Sequence, residues 1–472
     1  MMRVSAAIFL WACLACPASP AQADGDRILE FGTGGVGVFT NARQPDGVFI
    51  LSVATGAQEI QIQPGGNILV LVKAIVNYAG PDEDKWYMLT RFHADGSWDA
   101  AYGEMDSGTT VGPGVQFIDA MQPPADVAMV PDGSAVIVGT TNYVYGFNPI
   151  EYRWISTVFR ITANGVRDQA FGTEGLYWWE DSETRADSVV MKPNGHLLFA
   201  GQQGFDTSRT YVRELRTNGV PEQNFGDQGI LILAPEELPT YAQSVNGKLA
   251  LLDDGRILLG LQEVENPGNR YGRCLLYRLY GNGAIDHSFG HNGRVELAVH
   301  VGDARFDLRH LRVLSNGHIL VGLERGGAWY NYPGPLVMLD AQGTPVPTFG
   351  GGDGVQEYPV DSWDQLTAME IDSNGRILLA DRDADRPIKR LLPDGSLDES
   401  FGLDGYAAAP ELADVQALAI APSGAIFAAG QLDWNYATAH EIPVGSLGVI
   451  MFDGSAGPDV PLDTLFEGGF EP

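Results

Sequence analysis

Short apolar runs pair up along this chain across tight polar turns. Val127-Ala128-Met129-Val130 leads into Asp132-Gly133, and the apolar character resumes as Ala135-Val136-Ile137-Val138. The same arrangement is centred on Gly66, Gly195, Gly255, Gly317, Gly375 and Gly424. Asp132-Gly133, Asn194-Gly195, Asp254-Gly255, Asn316-Gly317 and Asn374-Gly375 are pairs that accept positive φ at low cost, so each predicts a β-hairpin. The flanking runs are nearly continuous in apolar character rather than alternating, which predicts strands covered on both faces. Helical periodicity is absent.

A second motif alternates with the hairpins. Gly165-Val166-Arg167-Asp168-Gln169-Ala170-Phe171-Gly172 returns as Gly283-Ala284-Ile285-Asp286-His287-Ser288-Phe289-Gly290 and as Gly395-Ser396-Leu397-Asp398-Glu399-Ser400-Phe401-Gly402. Its aromatic position is filled by Phe31, Tyr102, Phe171, Phe225, Phe289, Phe349 and Phe401, at spacings of 71, 69, 54, 64, 60 and 52 residues. A third apolar run precedes this motif, as in Leu275-Leu276-Tyr277-Arg278-Leu279, and a fourth follows it, as in Gly229-Ile230-Leu231-Ile232-Leu233. Four short strands per unit and seven units predict an all-β fold, a seven-bladed β-propeller of four-stranded antiparallel blades, with six or eight blades as the alternatives.

The Phe-Gly turn, the Asp/Asn-Gly hairpin and the period of about sixty residues resemble the delta-60 repeat family, a group of bacterial β-propeller-like repeats. The resemblance runs from Phe31 to Gly454. Tyr102 in place of Phe, Glu222 and Val346 in place of Asp, and the extra glycine in Gly350-Gly351-Gly352 depart from it. It implies a fold and carries no reaction. The repeated residues are accordingly expected to be structural: the Phe filling a gap between blades, the glycines taking turn conformations, and the Asp accepting backbone N–H groups in its loop.

The ends differ from the middle. Arg3, the apolar stretch Val4 to Leu14 and Ala21-Gln22-Ala23 read as an export signal over residues 1–23. The propeller then spans 24–454, followed by a short tail at 455–472 whose Asp463-x-x-Phe466 echoes the repeat. An exported protein is expected, extracellular or surface-displayed, with the periplasm as the alternative. No later segment is long and apolar enough to span a bilayer. Beyond the signal Cys274 is the only cysteine, so stability must come from burial, for which 44% hydrophobic residues suffice. The formal charge of -31 disfavours nucleic acid and anionic lipid as partners.

In an antiparallel up-and-down blade, alternate connections lie on opposite faces. The hairpins and the Phe-Gly turns therefore share a uniform face, and the long, variable connections share the other. Variable loops on a rigid frame are where binding tends to sit. Their aromatics, Trp154, Trp329, Tyr330, Tyr332, Trp363, Trp434 and Tyr436, are the candidate ligand-binding residues, suited to stacking on sugars or anchoring a protein. Asp381, Asp383 and Asp385 have the spacing that opens a calcium loop, but Arg386 stands where the glycine belongs and Leu392 where the closing Glu belongs. No His-Glu-x-x-His, Gly-x-Ser-x-Gly or phosphate-binding glycine loop is present. The expectation is a monomeric binding or adhesion module for a glycan or a protein. The alternatives are an enzyme degrading extracellular polysaccharide (hydrolase or lyase) and a structural surface protein.

Overall fold

The structure is a computed structural model. It describes residues 25–454 apart from 40–51, 78–82, 104–114, 119–123, 148–149, 180–182, 205–208, 234–242, 267–268, 298–304, 327–331, 358–365, 384, 441 and 443–445. Residues 1–23 and 455–472, read above as an export signal and a tail, lie outside the described residues. Seven four-stranded antiparallel sheets form a seven-bladed propeller. Six blades are consecutive in sequence, at 52–117, 124–178, 184–233, 243–296, 305–356 and 368–407. The first strand of each blade packs against its counterparts in the neighbouring blades and so lines the axis.

The seventh blade answers what the repeat alone left open. Its three strands Ala417–Ile420, Ile426–Gln431 and Leu447–Phe452 are completed on the outer edge by the N-terminal strand Val36–Phe39. Val36 lies opposite Ile450 and Phe39 opposite Leu447, while Ile28 N–H donates to Met451 O and Asp453 N–H to Asp26 O. The first Phe-Gly turn of the sequence, at Phe31, thus belongs to the last blade. Joining the two ends of the chain in one sheet removes the open edge that a linear array would expose.

The uniform face is built as the sequence implies. At Asp254-Gly255, Gly255 takes φ +81°, and the Asp254 carboxylate accepts the Arg256 N–H at 3.0 Å. Asp132, Asn194 and Asn316 accept the equivalent N–H in their own hairpins. All seven motif aromatics are buried, none more than 2% exposed. Each meets the first motif glycine of the following blade: a Cβ on Gly343 would press into Val295 and lie 2.9 Å from Phe289 Cε2, and the pairs Phe225–Gly283 and Phe349–Gly395 repeat the contact. The ring thus occupies space that only a glycine leaves open.

The motif Asp does more than shape its loop. Asp286 Oδ1 accepts the Ser288 N–H at 3.1 Å, and its Oδ2 accepts Arg278 Nε at 2.7 Å from the preceding strand. Arg278 also donates to Ala341 O in the next blade and lies over the Phe289 ring, 4.8 Å from its centroid. Arg91 with Asp99 and Tyr102, and Arg390 with Asp398 and Phe401, reproduce the same Arg–Asp–aromatic unit. Cys274 is buried, and burial pushes its thiol up to about 12.

Candidate binding site on the propeller axis

In every blade the position eight residues before the hairpin glycine interrupts the innermost strand or immediately precedes it. It is bulged in five blades, between Ala57 and Glu59, Pro124 and Asp126, Ala186 and Ser188, Val245 and Lys248, and Leu308 and His310. In the other two, Thr367 and Gln416 hold that place, donating to Ala380 O and Ala429 O. A bulge breaks the alternation of side chains and re-aims one of them. Here the position is occupied by Gln58, Ala125, Asp187, Gly247, Arg309, Thr367 and Gln416. All but Gly247 line a cavity on the axis.

That cavity has a volume of about 560 Å³. It lies toward the ends of the blades where the innermost strands begin, which is the long-connection side. A second space of about 580 Å³ continues down the axis past Gln61, Arg312 and Glu370 toward the hairpin face. Either is within the range that holds a small ligand. A second tier is the residue seven positions after each hairpin glycine: Lys73, Thr140, Gln202, Gln262, Glu324, Arg382 and Gln431. All seven are polar, and Lys73, Glu324, Arg382 and Gln431 face the upper cavity. The axial wall therefore carries amides, a hydroxyl, carboxylates and cations, with few apolar side chains.

Along the innermost strands of five consecutive blades the charge is sorted. Three consecutive blades supply the acids Glu59, Asp126 and Asp187, and the next two supply Lys248, Arg309, His310 and Arg312. Part of the acidic arc staples blade to blade. Glu59 Oε2 accepts the Val127 N–H at 2.9 Å, and Asp126 Oδ2 accepts the Val189 N–H at 2.9 Å and Ser188 Oγ at 2.8 Å. Ser188 Oγ in turn accepts the Leu249 N–H at 3.3 Å. Burial, reinforced by the charge of Asp126, pushes the Glu59 carboxyl well above the usual range, and burial pushes Asp187 up to about 6. In the basic arc Arg312 is held by Glu370 at 2.6 Å, and Arg309 by Glu324. Burial together with Arg312, Lys248 and Arg309 pushes His310 down to about 3, so its imidazole is neutral.

Among the described loop aromatics, Trp154, Trp434 and Tyr436 are not among the residues that line this cavity. Trp154 is half-buried in the strand Ile150–Ile161, with the Arg185 guanidinium 5.4 Å from its ring centroid. Trp434 and Tyr436 fall on a short helix, Trp434–Ala439, which the apolar pattern does not foretell. Asp433 caps it by accepting the N–H groups of Asn435 and Tyr436. Trp434 is 64% exposed, while Tyr436 is half-buried and stacked on His440 at 4.2 Å between centroids. Tyr332 opens the strand Tyr332–Leu339, opposite Arg325. Trp329, Tyr330 and Trp363 lie outside the described residues. Asp381 is buried and paired with Lys389, and Asp383 accepts the N–H groups of Asp385 and Arg386. No group of three or more His, Cys, Asp or Glu side chains suited to a metal occurs among the described residues.

The axial residues carry no motif because each copy holds a different residue. What marks them is position: a variable polar site in a frame where the surrounding strand positions repeat. Aligning the seven units on the hairpin glycine exposes both tiers.

No family model matches the chain, and no curated protein matches it. Among solved structures it is similar over 93% of its length to the polysaccharide lyase Uly1, with 98% of that chain covered, a TM-score of 0.46 and 11% identity. It is similar to an α-L-arabinanase from Penicillium chrysogenum complexed with arabinobiose, over 88% of this chain and 98% of that one, at a TM-score of 0.37 and 12% identity. A protein of unknown function from Dyadobacter fermentans aligns with 89% of the chain and 99% of its own length, at a TM-score of 0.40 and 8% identity. Likeness at these levels carries no functional argument. Among the described residues, no helix is long and apolar enough to cross a membrane.

Proposed function

We propose that this chain is an exported propeller of the delta-60 repeat type that binds a glycan, with the ligand seated in the axial cavity and reached from the long-connection side. The observation that carries the reading is the axial wall. At two positions of the repeat the residues differ from blade to blade and are mostly polar, while the hairpins and Phe-Gly turns around them repeat. Repetition serves the frame; departure from it at one convergent place is what a binding site requires. Gln58, Gln416, Gln431 and Thr367 offer neutral donors and acceptors of the kind a polyhydroxylated ligand uses.

The test is a glycan array probed with the wild-type chain and with Ala125→Trp. Ala125 is an exposed bulge residue on the cavity wall, so an indole there fills the cavity without disturbing the core. Binding by the wild type that disappears in Ala125→Trp, with the melting temperature unchanged, supports the reading. Binding that survives the plug moves the site to the loops.

One observation favours a second reading, a polysaccharide-degrading enzyme. Glu59 and Asp187 both have raised pKa values and both line the axial space, and burial that favours the protonated carboxyl suits general acid work. Release of reducing ends or of an unsaturated product from acidic or neutral polysaccharides, abolished by Asp187→Asn, would establish it.

A further inference from the structure

The upper axial cavity is electropositive in a strongly acidic protein. Its wall carries four cations, Lys73, Lys248, Arg309 and Arg382, against two carboxylates, Asp187 and Glu324. The whole chain carries -31. Arg309 and Glu324 satisfy each other. Asp187 is already engaged, accepting the Gly247 N–H at 3.2 Å and a hydrogen bond from the Gln202 side chain. Among the described residues none of Lys73, Lys248 and Arg382 forms a salt bridge; Lys248 Nζ donates to the Asp187 carbonyl oxygen at 3.5 Å, and its charge also acts on the Asp187 carboxylate without closing a pair.

The three come from different blades. Lys73 stands on the second strand of the first blade, beside Gly56. Lys248 follows the bulge of the fourth blade. Arg382 follows the second strand of the sixth blade, Ile377–Ala380. Converging cations from three blades are costly to hold together unless a counter-charge sits between them. In a recess, where solvent screens less, they attract an anion more strongly than surface lysines do.

We propose that the glycan taken by the axial cavity is acidic, its carboxylate or sulfate lodged among Lys73, Lys248 and Arg382. The inference rests on the glycan-binding reading above and adds the ligand's charge. Gln58, Thr367 and Gln416 are then left for the sugar hydroxyls. Anionic substituents discriminate acidic from neutral glycans through these cations, and the bulk acidity of the protein repels acidic polymers everywhere else.

Titration calorimetry tests this with four probes: an oligogalacturonate (carboxylate), a sulfated oligosaccharide of similar length, a neutral oligoglucan, and inorganic sulfate. The arms are wild type, Lys73→Met, Lys248→Met and Lys248→Arg. Binding of at least one acidic oligosaccharide is expected, with neutral oligoglucan markedly weaker. Each Met variant should lose roughly ten- to hundredfold in affinity, the value of a charged hydrogen bond, while Lys248→Arg retains most of it. Affinity should fall as sodium chloride rises. Which acidic probe binds identifies the anionic group. Equal binding of neutral and acidic probes, unmoved in the Met variants, overturns the acidic inference and leaves the glycan reading standing. Lysine-dependent binding of inorganic sulfate with no saccharide bound overturns the glycan reading, and this inference with it. A Met variant that has lost its cooperative melt is replaced by its Gln counterpart.

Discussion

Asp286 is the place to test whether the Phe-Gly motif is frame rather than site. Its side chain is fully buried and holds two guanidiniums, Arg278 at 2.7 Å and Arg256 at 3.0 Å, together with the Ser288 N–H and hydroxyl. Asp286→Ala leaves Arg278, itself only 2% exposed, as a buried charge whose nearest carboxylate is gone. Breaking a buried pair in this way costs about 3–5 kcal/mol. At roughly 2.1 cal/mol/K per residue of unfolding entropy, a domain of about 430 residues loses roughly 3–6 °C of melting temperature for that amount. Circular dichroism melts of wild type and Asp286→Ala, scanned at one rate in one buffer, read it directly. Replacing both partners, as Arg278→Met with Asp286→Leu, removes the orphaned charge and should cost less than Asp286→Ala alone. A single mutant that melts with the wild type and yet loses ligand binding would refute the structural reading and make the motif a site.

Three further outcomes follow from the same frame. Gly343→Ala should destabilise by more than Gly255→Ala: both take positive φ, but a Cβ at Gly343 meets Val295 and Phe289, whereas one at Gly255 meets nothing within 4 Å. Urea unfolding of the pair separates the clash from the backbone strain of about 1 kcal/mol that both share. Deleting residues 25–39 removes the fourth strand of the last blade and the Phe31 turn, so the ring should open, with loss of the cooperative melt and rapid proteolysis of the exposed strand Leu447–Phe452. Asp187 binds its proton more tightly folded than unfolded, so its contribution to stability is fully present below the unfolded value, near pH 4, and is lost as pH rises through about 6. Asp187→Asn should therefore gain stability relative to wild type above pH 6 and none below pH 4, as denaturation midpoints across that range will show.

How far the sequence disclosed this molecule depended on whether a feature repeats. Gly255 and Phe289 stand out because a positive φ and a buried ring between blades admit one residue type, so every copy says the same thing. The Arg–Asp pairing was available by the same logic, since Arg91, Arg160, Arg278 and Arg390 each precede the motif Asp by eight residues. The Arg lies on the preceding strand, outside the repeated Gly-to-Gly phrase, so the phrase alone does not display it. Val36-Gly37-Val38-Phe39 reads as a strand, but nothing local says that it pairs with Leu447–Phe452 across the whole chain; that is a consequence of ring closure. The helix at Trp434 is too short to show a period, and its one signal is the capping Asp433. The axial site was hidden for the opposite reason. A bulge turns Gln58, Asp187 and Arg309 toward the axis, and their identities share nothing, so no motif could point to them. The loop aromatics are conspicuous in sequence, and of those described Trp154 lies under Arg185 and Tyr436 on His440, away from the axial wall.

A crystal structure of the chain soaked with the acidic oligosaccharide that binds it in solution tests the axial account most directly. The account predicts a sugar residue on the propeller axis, its carboxylate or sulfate within hydrogen-bonding distance of Lys73 and Lys248 and its hydroxyls against Gln58 and Gln416. An oligosaccharide lying across Trp434 and the outer connections, with only solvent on the axis, would contradict it.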